Sequence, residues 1–252
     1  MDQQTADRTD ALLAQLDIAE NTPAMRELRT RSYELLDLAP DAAVVDVGCG
    51  AGRAVAEMDE QGARAVGIDP AERMISLARE RWPSADFRVA DAYDLPFEDA
   101  SVHGYRADKV YHTLDDPARA VAEARRVLSP GGRIVLIGQD WDTLLIESDD
   151  AALTRTIVHA RADMIPTPRV VRRQRQLLLD EGFADVKMEV HTSISTGPAM
   201  LPVLTDLATK VQSVGAITEA QAEAWIAEQQ ERGQNGRLFF ALPMFITAAT
   251  RP

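Results

Sequence analysis

From position 41 onward the chain alternates short apolar runs with longer stretches in which apolar residues recur every three or four positions. Val44-Val45-Asp46-Val47 is the first run; it ends in glycines, and a helix is expected through Met58. Residues 65–68 predict a second strand and 71–81 a second helix. Phe87 and Val89, alternating with polar neighbours, mark a third strand, and 102–106 a fourth. Asp116-Pro117 opens a helix through Leu128, since proline is tolerated in a first helical turn. Ser129-Pro130-Gly131-Gly132 reads as a turn and 133–137 as a fifth strand. Short strands alternating with amphipathic helices make a parallel sheet covered on both faces, with ligand sites at the strands' carboxyl ends.

The flanks follow other rules. Leu12, Leu13, Leu16 and Ile18 suggest one helical stripe, and Met25, Leu28, Tyr33, Leu35 and Leu36 a second; Asn21, Thr22 and Pro23 between them read as a stop, an N-cap and a first-turn proline. Beyond Asp140, residues 151–162 and 170–181 look helical, 183–191 a strand, 201–214 and 218–231 helical, and 238–247 a last strand. The expected fold is α/β: a seven-stranded, mostly parallel, doubly wound sheet with helices on both faces and a helical cap over the strand carboxyl ends. Residues 1–40 would form an N-terminal helical cap and 41–252 the core, with a helical lid inserted at about 197–233.

Composition narrows what such a fold serves. A net charge of −13 disfavours nucleic acid, which requires a positive footprint; the four arginines within 169–175 read as a solvated helix face. No apolar run approaches membrane-spanning length, and the first residues lack the basic start and apolar stretch of a secretory signal, so the expected location is the cytoplasm, away from any membrane. The single cysteine, Cys49, allows neither an internal disulfide nor a cysteine-based zinc site.

Three motifs carry candidate chemistry, each at an expected strand end. In Asp46-Val47-Gly48-Cys49-Gly50-Ala51-Gly52 the glycines permit a tight turn and a close backbone approach to a ligand at a helix N-terminus. A dinucleotide fingerprint requires a small residue where Arg53 stands. Gly67-Ile68-Asp69-Pro70 closes the second strand with a carboxylate suited to a ribose diol, although Asp69 also suits a helix N-cap. Val89-Ala90-Asp91-Ala92 follows the third strand. Arg106 leaves the fourth, where it could pair with a ligand carboxylate or form a surface ion pair.

This succession resembles the class I S-adenosylmethionine-dependent methyltransferases, nearest their quinone-biosynthesis-like small-molecule branch, over about 36–139. The resemblance implies S-adenosylmethionine as cofactor, with its methionine portion on the loop of Asp46, Gly48, Cys49, Gly50 and Gly52. It also implies the ribose on Asp69 beside Pro70, and the adenine near Met74, Asp91 and the Ala92 amide. The segment around Arg106 and Tyr111-His112, and the Arg125–Gly132 turn, fit the same family. Methyl transfer to oxygen or carbon of a small acceptor, a secondary metabolite or a quinone- or polyketide-like molecule, is the expected activity, by a monomer or homodimer. Candidate bases are His112, Asp140, His191 and Tyr111. Asp140 and Asp142 near Asp108 suggest Mg²⁺ only weakly, because the adjacent Asp-Asn pair of catechol-type relatives is missing; no metal is expected. Two rivals remain at this point: a nicotinamide-dependent oxidoreductase, against which Arg53 and Asp91 speak, and a cofactor-binding scaffold without transfer, such as a pericyclase.

Overall fold

The computed structural model describes residues 22–252. The apolar stripe at Leu12, Leu13, Leu16 and Ile18, and Asn21 after it, lie outside the described residues. Helix α1 (Pro23–Leu36) starts as its sequence specifies: the Thr22 side chain accepts from the Met25 amide and Pro23 occupies the first turn. Then follow β1 (Ala43–Val47), α2 (Arg53–Glu60), β2 (Arg64–Asp69), α3 (Glu72–Arg81), β3 (Asp86–Val89), β4 (Val102–Asp108), α4 (Pro117–Val127) and β5 (Leu128–Gln139). The C-terminal part comprises β6 (Leu145–Ile146), α5 (Ala151–Asp163), α6 (Gln174–Asp180), β7 (Ala184–Ser195), α7 (Leu201–Ser213), α8 (Glu219–Gln234) and β8 (Phe240–Thr250).

The sheet has the order β3-β2-β1-β4-β5-β8-β6, with β7 on the other side of β8. β1 to β5 pair in parallel, and β8 runs antiparallel between β5 and β7. The sheet thus has eight strands rather than seven. The extra one, β6, is two residues long and pairs with Phe240 and Ala241 just past the β5 pairing, so it resumes β5 after a short turn. Strand alternation sorts the core into two layers. Ile134 and Leu136 face α4 and α6, alongside Val45, Tyr105, Val121, Ala124 and Leu178. Val135 and Ile137 face α1, α2 and α3, alongside Leu28, Leu36, Val55, Met58 and Ile75. The described part of the N-terminal segment is therefore a face helix of the sheet, not a cap beyond its edge.

Two local readings need correction. The Ser129–Gly132 segment lies within β5: Val102 pairs with Leu128 and Gly104 already with Arg133, so the glycines are extruded as a bulge while the strand continues. The helix expected at 170–181 is split into a 3-10 turn, Val170–Arg172, and α6. Residues three apart eclipse in a 3-10 turn, and Arg169 and Arg172 thereby reach the same pair of acids, described below. Helices α5, α7 and α8 form a separate apolar cluster around the buried Trp225, whose indole N–H donates to Thr154 Oγ1 at 2.9 Å. This cluster also holds Phe240, the first residue of β8, which stands at the carboxyl edge of the sheet.

Candidate active site

Gly48, Gly50 and Gly52 all have positive φ, at 69°, 53° and 84°. At Gly48 a Cβ would lie 2.2 Å from Val110 Cγ2, and at Gly52 2.5 Å from the Phe87 ring, so both positions exclude a side chain on conformation and on space. At Gly50 a Cβ would meet only Met74 Cε, at 3.8 Å. The loop is therefore wedged below and open above, which is the shape a ligand lying on its backbone requires. The Gly48 and Cys49 amides are spent on Ile68 O, and the Trp82 indole N–H pins Ala51 O at 3.1 Å.

Asp69, at the tip of β2, reaches across to this loop: Oδ2 accepts from the Gly50 amide at 3.1 Å and Oδ1 from the Ala71 amide at 2.9 Å. Pro70 is exposed beside it, and Met74 is half-buried in the first turn of α3. Asp91 stands exposed after β3 with Oδ1 accepting from the Tyr93 amide at 2.7 Å, and Ala92 is buried behind it. Because β3, β2 and β1 are neighbours in that order, these groups form one continuous ridge along the carboxyl edge. The Cys49 thiol belongs to the ridge without reactivity, since burial pushes its pKa up and keeps it protonated.

Arg106 departs from the sequence reading. It is neither a surface ion pair nor free for a ligand carboxylate: 2% exposed, it bonds Asp46 Oδ1 at 2.8 Å, Asp108 Oδ2 at 3.0 Å and Ser32 Oγ at 2.9 Å. Burial works against its charge, but Asp46 and Asp108 raise its pKa further than burial lowers it. The network braces β1 against β4 and α1 under the glycine loop. Lys109, which closes it on Asp108 Oδ1 at 2.8 Å, has φ 60°, a strained left-handed position directly after β4. Sequence reasoning passed over Lys109; a positive φ leaves no trace in residue type unless it falls on glycine or asparagine.

The candidate bases do not converge. Tyr111 is in the core with its hydroxyl 3.3 Å from that of Tyr105, and burial pushes it well above its ordinary value. Asp140 is buried, but its Oδ2 is taken by Arg172 and its Oδ1 by the Asp142 amide at 3.1 Å, so it is an ion-pair partner rather than a free base. Asp142 is engaged by Arg169 and Arg172, and hydrogen bonding to Arg169 lowers its pKa. Two arginines of the presumed solvated face are thus tied to the turn after β5. His191 sits four strands from β1, roughly 19 Å at about 4.8 Å per strand, with Nε2 3.2 Å from Glu189, itself bound by Arg31. That separation removes it from the ridge.

His112 stands two residues after Val110, which abuts Gly48. It is 7% exposed, and burial, with Lys109 and Arg161 adding to it, pushes its pKa down to about 4. The ring is neutral at neutral pH. It packs edge-on against Trp141, centroids 5.4 Å apart, while Thr167 bonds the main-chain oxygens of Tyr111, His112 and Leu114. Among the described residues no three His, Cys, Asp or Glu side chains converge as metal ligands, and no helix is long and apolar enough to cross a membrane.

A doubly wound sheet with a glycine loop and two strand-end carboxylates defines a nucleotide-type ligand site at the carboxyl edge. Comparison with known proteins makes the class definite. Residues 45–136 match the family model described as a methyltransferase domain. Over 186 residues the chain is 37% identical to an uncharacterized 37.1 kDa protein in transposon TN4556 of Streptomyces fradiae, covering 71% of this chain and 54% of that one. It is 34% identical over 95 residues to a demethylmenaquinone methyltransferase of Chlorobaculum tepidum, covering 37% and 39%. The YcgJ protein of Bacillus subtilis shares the fold at a TM-score of 0.63 and 17% identity, covering 90% of this chain and 99% of that one. The chain spans about half the length, or less, of the curated relatives it matches. Residues 45–136 thus carry a methyltransferase domain, set in a Rossmann-like α/β fold, with S-adenosylmethionine as its cofactor.

Proposed function

We propose that the protein transfers a methyl group from S-adenosylmethionine to oxygen or carbon of a small-molecule acceptor. The observation that carries this reading is the ridge itself. A glycine loop open above Gly50, a carboxylate tied to its amide and a second carboxylate one strand further on suit an amino-acid tail, a diol and a base in turn. Bound there, the cofactor supplies an electrophilic methyl on a sulfonium. The ridge fixes its orientation, and the helices α5, α7 and α8 beyond the carboxyl edge form a lid that keeps water out, so positioning and dryness supply most of the acceleration. His112, neutral and two residues after Val110, accepts the proton of a hydroxyl or acidic carbon in the acceptor. The demethylmenaquinone methyltransferase similarity supports a small, quinone-like acceptor.

Calorimetric titration with S-adenosylhomocysteine tests the site. Asp69→Ala and Asp91→Ala are each expected to weaken binding at least ~10-fold, about 1.4 kcal/mol, with the circular dichroism spectrum unchanged. Unaltered affinity in both variants refutes the assignment. Incubation with methyl-tritiated cofactor and a panel of quinols and phenols tests turnover, and binding without label transfer would leave a scaffold.

A further inference from the structure

We propose that the methyl acceptor carries an anionic oxygen group, a carboxylate or a phosphate, and that Arg161 holds it; this rests on the methyltransferase reading above. Arg161 lies in the last turn of α5 with its guanidinium carbon 4.6 Å from the centre of the Trp141 ring. The stack continues edge-on to His112, which follows β4, and through Val110 reaches Gly48. It thus starts at the glycine loop and leads away from β2 and β3, where the ridge lies, toward β5 and the helical insertion. That is the side from which an acceptor must approach.

The charges around this stack are uneven. Asp140 and Asp142 are offset by Arg172 and Arg169, and Asp206, the acid whose field reaches Arg161, is paired with Lys210 at 2.6 Å. Arg161 has no carboxylate partner among the described residues, although it is half-buried. Burial shifts its pKa down, against the pull of Asp206. Arg155 and Arg173, likewise without an ion pair, stand exposed to water, where an unpaired cation costs nothing. Trp141 Nε1, in the same stack, is a buried donor with no acceptor. A half-buried cation with no counter-ion, stacked on a ring whose N–H is unspent, is less favourable in the free protein than with an anion beside it, and an oxyanion on its open side offsets the charge. In a chain of net charge −13 the overall field repels anions, so a local uncompensated cation is what admits one.

The test uses the full chain saturated with S-adenosylhomocysteine, titrated with benzoate, phenyl phosphate and neutral benzamide. At least one anion is expected to bind ~10-fold or more tightly than benzamide, and the stronger of the two separates carboxylate from phosphate. Arg161→Gln should abolish that preference while leaving affinity for S-adenosylhomocysteine unchanged; Arg161→Lys, which keeps the charge, should retain part of it. Equal binding of all three probes, no measurable anion binding at millimolar concentration, or a preference that survives in Arg161→Gln overturns the proposal. Failure of the wild type to bind S-adenosylhomocysteine instead overturns the methyltransferase reading.

Discussion

The two ends of the carboxyl edge are built by different means. At β1, β2 and β3 the work falls to the backbone: three glycines in left-handed conformations, loop amides spent on Ile68 O and Asp69, and acids that bond amides two residues ahead or across a single strand pair. At β4 and β5 it falls to side chains drawn from four elements, with His112, Trp141 and Arg161 stacked and Asp140 and Asp142 clamped by arginines from a distant turn. A ligand constant in chemistry can be held by a fixed backbone, whereas an acceptor that differs between relatives needs surfaces that single substitutions can remodel.

The largest expected effect tests what supports the backbone half. Arg106→Leu removes the cation between buried Asp46 and partly buried Asp108 and should cost about 3–5 kcal/mol in urea unfolding, with cofactor affinity falling in step. A loss under 1 kcal/mol would mean that the network does not brace the loop. Next, His112 gives the side-chain half a pH signature. Its pKa is lower folded, about 4, than its ordinary 6.5, so between those values the unfolded chain binds a proton that the native one refuses. Stability is therefore lost as pH falls from 6.5 toward 4, by at most about 3 kcal/mol from this group. Urea titrations at pH 7 and pH 4 should show that much less acid sensitivity in His112→Gln, and identical slopes would place the ring in a more open setting. The smallest effect concerns the insertion. Trp225→Phe leaves Thr154 Oγ1 without its donor and should cost about 1–2 kcal/mol, monitored by hydrogen exchange in α5, α7 and α8 with cofactor affinity unchanged. Weakened cofactor binding would show that the two halves are coupled.

The same division explains what the sequence disclosed. The glycine loop, Asp69 and Asp91 were legible because their geometry is local and each motif occupies a few consecutive residues. β1, β2 and the centre of β5 were legible because buried parallel strands are continuous apolar runs, and β3 because Phe87 and Val89 alternate with polar neighbours. Arg106 was misread since its partners Asp46 and Ser32 lie 60 and 74 positions away, and Asp140 since Arg172 lies 32 away. No periodicity reports that a carboxylate is already occupied. β6 escaped notice because two residues carry no pattern, and Ser129–Gly132 misled because a bulge and a turn draw on the same residues.

The pairing of Ser195 with Phe240 gives the insertion an unusual independence. α7 and α8 enter and leave the sheet at one rung of an antiparallel ladder, with β6 holding the opposite side of that rung. The insertion is thus an overgrown hairpin tip, and doubling the length of such a tip costs only about 0.6 kcal/mol in closure entropy. Heads of other sizes can be grafted onto the same stem without shifting the register beneath it, provided they keep the seat that Trp225 makes on Thr154 of α5, so this part of the lid can be exchanged as one contiguous segment while the Arg161–Trp141–His112 stack stays in place.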